Sequence, residues 1–251
     1  MGSNGYGLRN AAAMEWVKVR TLRSTTLVLV LGLALSVGLG VVAGYNTRNA
    51  GGDPTSNVLS GVILGQVVLG VLGVLVMTSE YSSGTIRVTL ATVPRRPLVL
   101  LAKAVVFGTI GLIAGEITTF ASFLLGIAAL RPSVPHPSLS DPTVLRAVVL
   151  TGAYLALTGL TGLGIGALFR HSPAAVAILV GGLFVLPLIA GAARASGSAR
   201  FLPELIAGNS LAAVKPVAGF GWSPWLELGI VAAYPVLLLA AGCWLLVRRD
   251  A

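Results

Sequence analysis

The chain has 251 residues, of which 55% are hydrophobic and only 10% charged, with a mean hydropathy of +0.92. A soluble domain carries about 25% charged residues, so this composition excludes a soluble fold and requires an integral membrane protein. The net charge of +9 does not imply nucleic-acid binding, because no basic–aromatic platform accompanies it and membrane proteins hold Lys and Arg in cytoplasmic loops.

Asn10 is placed to cap a helix through Ala11, Ala12, Ala13, Trp16 and Val19. Ala12, Trp16 and Val19 share one face, while Glu15 and Lys18 sit three apart on another. Trp16 together with Arg20 and Arg23 predicts an interfacial helix on the inner leaflet, the plain alternative being a charged lead-in to a span. Thr26–Tyr45 is the first span, of the ~20 residues that a hydrocarbon core demands. Its apolar run exceeds the ~7–15 residues of a signal-peptide core, so it is read as permanent.

After the polar turn Asn46–Asn57 comes a second span, Val58–Met77, then a polar segment, Ser79–Lys103, and a third span over 104–130. Four prolines (Pro132, Pro135, Pro137, Pro142) mark Arg131–Arg146 as a loop. The fourth and fifth spans cover 147–168 and 174–193, joined by a tight turn carrying Arg170 and His171. A long connection, 194–225, precedes the sixth span at 226–247. Pro187 and Pro235 fall inside the last two spans and predict kinks. The fold class is therefore all-α: one polytopic domain over 1–251, with six transmembrane helices. With the N-terminus inside, the inner face collects 11 of the 17 Lys and Arg and the outer face 6, which favours a cell membrane protein with both termini cytoplasmic.

Small-residue pairs at Gly40/Gly44, Gly61/Gly65, Gly111/Gly115 and Gly162/Gly166 predict close helix packing. There is no phosphate loop, no H-E-x-x-H, no G-x-S-x-G and no Cys/His cluster, so the chain lacks the parts of an enzyme; Cys243 is its single cysteine. His136 and His171 are read as solvated. Glu116, near the middle of the third span, is the exception: a carboxylate there costs a few kcal/mol and by default marks a functional site. Its plain alternative is a hydrogen bond to Thr118, Thr119 or a neighbouring helix. Gln66 in the second span is a weaker candidate of the same kind, and Glu227 is read as interfacial.

Within Ser79–Lys103, Ser82-Ser83-Gly84 is a turn signal and Pro94 a stop. Between them Ile86, Leu90 and Val93 recur at i, i+4 and i+7, the face of a short amphipathic helix. Glu80-Tyr81-Ser82-Ser83-Gly84-Thr85-Ile86-Arg87, with Leu90, Pro94-Arg95-Arg96 and Ala102-Lys103 behind it, resembles the E-x-x-x-G-T-hydrophobic-R/K motif of ABC-2-type transporter permeases.

That resemblance implies a half-transporter that binds no cofactor itself. Its partners would be a separately encoded ABC-type ATPase, which uses ATP and Mg, and a second permease copy, identical or related. It further implies that Glu80, Gly84, Thr85, Ile86, Arg87 and Leu90 form an ATPase-coupling elbow, with Ile86 and Leu90 filling the ATPase groove. Outer re-entrant helices are implied over Phe201–Ala213, with Glu204 as the polar residue there. A carrier coupled through Glu116 and a non-transporting scaffold are the alternatives.

Overall fold

The computed structural model describes residues 7–21, 23–48, 52–92, 96–192, 201–215 and 222–248. Those residues are predominantly helical, without a strand among them, and six helices are long and apolar enough to cross a membrane. In chain order the elements are α1 (Leu8–Thr21), α2 (Arg23–Asn46), α3 (Pro54–Val58), α4 (Val62–Ser82), α5 (Thr85–Thr92), α6 (Arg96–Ala128) and α7 (Pro142–Phe169). They are followed by α8 (Ser172–Ala192), the short α9 (Pro203–Ile206) and α10 (Pro224–Arg248).

The hub is α7, which packs against α4, α6, α8 and α10. Within its most apolar window 72% of residues are buried, against 17% for α2 and for α8, so α7 is a core helix while those two are peripheral. Glycines bring the hub close to its neighbours: at Gly162 against α4, and at Gly152 and Gly159 against α6, a Cβ would collide with the facing chain. Each of the four predicted glycine pairs has at least one member at such a contact within this same chain. Around them the core divides into apolar clusters. One joins Leu69, Tyr154, Ile206, Leu211 and Val231, and another, at the opposite end of the bundle, joins Met77, Leu100, Leu163 and Leu246.

Several boundaries differ from those expected, each for a physical reason. Pro142 does not belong to a loop but occupies the first turn of α7, where its missing N–H costs nothing, and Asp141 caps that turn by accepting from the Thr143 N–H at 2.8 Å. Arg146 is therefore helical as well. The second span starts at Val62 because Asp53 caps a separate short helix, α3, before the chain turns at Gly61. Asn10 lies inside α1, which begins at Leu8. Pro187 is preceded by a π turn at Gly181–Val185, a widening of the helix that accommodates the residue's lost donor and bulky ring.

Candidate functional site

α4 runs to Ser82 and ends on Gly84, whose φ of +71° places it in the left-handed region that closes helices at the residue beyond the cap. The Ser83 N–H donates to Ser79 O and the Gly84 N–H to Tyr81 O, so the orphaned carbonyls of the last turn are satisfied. The chain then reverses into α5, and α6 begins at Arg96. Glu80 thus closes the second span, while Lys103 lies inside the third, which starts at Pro97 rather than near residue 104.

Four charges meet behind this elbow. Lys103 Nζ donates to Glu15 Oε2 at 2.7 Å and to Glu80 Oε1 at 2.6 Å. Lys18 Nζ donates to Glu15 Oε1 at 2.8 Å, to the same Glu80 Oε1 at 2.7 Å, and to Thr89 Oγ1 at 3.4 Å. The cluster is neutral and joins α1, α4, α5 and α6. Lys103, Glu15 and Glu80 are buried, and Lys18 forms the partly exposed lid. Burial pulls the Lys18 ammonium down, but hydrogen bonds and charge from Glu15 and Glu80 outweigh it and raise its pKa above the ordinary lysine value. Two carboxylates and two ammoniums in contact offset one another's desolvation, which is why charges can sit at this depth.

Ile86, expected to face a partner, lies on the inner side of the elbow. Ile86 is only 4% exposed and points into the protein, as does Thr89 one turn later, so Ile86 cannot fill a partner's groove without the elbow opening. Among the described residues of α5, Val88 is the apolar side chain presented outward, 65% exposed. The side chains of Arg87 and Leu90 lie outside the described residues, as does Val93. Thr85 is exposed and its hydroxyl meets Ser83 Oγ at 2.8 Å, across the Gly84 turn. On α1, Ala11 and Glu15 face the bundle, whereas Trp16 is 51% exposed, the orientation an interfacial anchor requires.

Glu15, Lys18, Val88 and Thr89 were not among the residues picked out from the motif. The available signal was charge pairing: two acids and two bases near span ends, each too costly at membrane depth unless neutralised by another.

Gly84→Val is expected to disrupt this turn. No atom lies within 4 Å of a Cβ built there, so the damage comes wholly from forcing a β-branched residue to positive φ. A loss of about 1–2 kcal/mol, read as a lower melting temperature, is the expected result. Gly84→Ala should cost less and Gly84→Asn least, since Asn tolerates that region best. An unchanged melting temperature in the Val variant would contradict the assignment.

At the far end of the bundle, Gln66 and Glu204 meet. Gln66 Nε2 donates to Glu204 Oε2 at 2.5 Å, and the Tyr154 hydroxyl donates to Gln66 Oε1 and lies 3.4 Å from Glu204 Oε2. Tyr154 stands twelve residues into α7, roughly 18 Å along its axis. α9 and the π turn after it, Ala207–Leu211, therefore reach well inside the bundle. Ile206, Ala207, Ser210 and Leu211 are buried there by protein, as irregular backbone at such depth must be. Arg146 holds the returning segment by donating to the carbonyls of Ala213 and Val214, and Asp53 accepts the Val214 N–H at 2.6 Å. Glu227, in the first turn of α10, is 1% exposed and so is covered by protein.

Glu116 joins neither cluster. Its carboxylate lies over Gly152 of α7, where a Cβ would stand 2.6 Å from Glu116 Cδ. The hydroxyls of Thr118 and Thr119 bond to backbone carbonyls of α6 rather than to the acid. Of the two histidines, His136 is exposed in its loop, and His171, also exposed, caps α8. Among the described residues no group of three or more His, Cys, Asp or Glu could hold a metal ion.

A family model described as "ABC-2 family transporter protein" matches residues 12–185, a stretch that runs from α1 through the elbow and the hub into α8. No curated protein matches the chain.

Proposed function

The chain belongs to the ABC-2 transporter family, and we propose that it is the membrane half of an ABC exporter, driven by a separately encoded ABC-type ATPase that docks on the elbow. The family's members are transport subunits rather than enzymes, and this one is a multi-pass membrane protein. Both termini and the elbow face the cytoplasm in this reading, where 11 of the 17 Lys and Arg lie, and two permeases, identical or related, enclose the path.

The observation that carries the reading is the four-charge cluster behind α5. An elbow hinged only by loops would absorb a push. This one is tied through Glu80, Lys103, Glu15 and Lys18 to the ends of the second and third spans and to the interfacial helix. Displacing α5 therefore moves α1, α4 and α6 together. ATP-driven closure of the motor supplies the force, and Val88 with its neighbours supplies the outward contact. The Glu204 segment is then an outer closure that parts when the bundle tilts. Self-contained transport rests on Glu116 alone.

Affinity purification of the chain from its native membranes tests the reading. The expected result is co-elution of an ABC-type ATPase whose ATP hydrolysis in lipid depends on the chain. A chain that elutes alone from mild detergent, or an ATPase indifferent to its presence, would overturn it.

A further inference from the structure

We propose that Glu116, seated on Gly152 and bordered by the apolar face of α6, is the recognition point for a lipophilic organic cation; the proposal rests on the transporter reading for its physiological meaning. Glu116 lies twelve residues from the far end of α6, roughly 18 Å along the axis. Its Oε2 is enclosed and has no hydrogen-bond partner, and neither carboxylate oxygen accepts a hydrogen bond among the described residues. Beside it Leu112, Ile113 and Ile117 are 45%, 56% and 64% exposed, so an apolar outer surface of α6 borders the acid.

The cation that completes this site comes from outside the chain. Lys103 is thirteen residues away on α6 and already shared by Glu15 and Glu80. Arg146 is committed to the Ala213 and Val214 carbonyls, and Arg248 stacks on Trp244 at the end of α10. Among the described residues no Lys or Arg forms an ion pair with Glu116. Ca²⁺ does not suit the site, because it needs six to eight oxygens and a single carboxylate stands here among the described residues. A cation wrapped in hydrocarbon suits both halves of the site. It sheds water cheaply, packs on Leu112, Ile113 and Ile117, and meets the carboxylate where low dielectric strengthens the attraction. The glycine seat fixes the acid's position, since any side chain at 152 would push it outward.

The test uses the chain with its co-purified ATPase in lipid nanodiscs and radiolabelled tetraphenylphosphonium as probe. Saturable binding is expected, competed by unlabelled tetraphenylphosphonium but not by neutral tetraphenylsilane. Glu116→Gln keeps the shape and removes the charge, and should weaken binding about thirtyfold or more, as for loss of one partner of a desolvated pair. Glu116→Asp should fall between, and Gly152→Ala should weaken binding by displacing the acid; both keep the question answerable if the Gln variant fails to fold. Absence of saturable binding, equal affinity in Glu116→Gln, or equal competition by the neutral analogue would overturn the proposal. An ATPase co-eluting with a chain that ignores the probe defeats this inference and leaves the transporter reading standing. Charge-dependent binding by a chain that recruits no ATPase does the reverse.

Discussion

Replacing Lys103 with Met is expected to cost about 3–5 kcal/mol, the penalty for removing one partner of a buried ion pair. Lys103 is 2% exposed and, among the described residues, is the only cation that touches Glu15 and Glu80 from inside, because Lys18 reaches them from the surface. Without it, two carboxylates share one half-exposed ammonium, and one negative charge is left buried and unpaired. The first element to loosen is α1, which the cluster ties to α6. Amide exchange across Leu8–Thr21 should therefore rise even where the six spans persist.

A charge-balanced partner separates this cause from simple loss of packing. Glu15→Gln combined with Lys103→Met leaves one acid against one base, and should recover part of the loss, giving a coupling of about 1–3 kcal/mol in the double-mutant cycle. Thermal unfolding in nanodiscs measures both terms. A Lys103→Met protein that melts with the wild type, with α1 equally protected, would show that the cluster carries no strain-bearing load.

The spans were legible because a bilayer demands long apolar runs, and no tertiary contact is needed to see them. What escaped was decided at a distance. The third span was expected to begin after Lys103, since a lysine reads as the end of an apolar run. It begins at Pro97 because Glu15, 88 positions away, neutralises that lysine. Pro142 read as loop for want of knowing that it stood at a helix's first turn, where proline is favoured. Gln66 and Glu204 each stood out as polar residues in oily surroundings, yet their pairing spans 138 positions, and Tyr154 beside them looked like any aromatic in a core. Glu15 was seen as the polar face of an amphipathic helix. The fold turns that face inward, where Glu15 meets buried Lys103 and the partly exposed Lys18.

The same limit explains the elbow, and it yields the sharper test of coupling. Periodicity identified the face bearing Ile86 without revealing which way it points. Ile86 is 4% exposed and Val88 65% exposed, so the two residues predict opposite phenotypes on substitution by aspartate. Ile86→Asp drives an uncompensated charge into the protein's own interior, and should cost about 3 kcal/mol or more and lower the yield of folded protein. Val88→Asp changes an exposed site, so its melting temperature should stay within about 0.5 kcal/mol of wild type. At a docking surface, however, a carboxylate would have to be desolvated against the motor. Val88→Asp should therefore lose ATPase co-elution, or keep the ATPase bound while transport stops. Folding and coupling thus separate on two residues of a single helical turn. A Val88→Asp complex that transports normally would remove α5 from the interface, and a stable, functional Ile86→Asp protein would contradict the inward packing on which the rigid elbow depends.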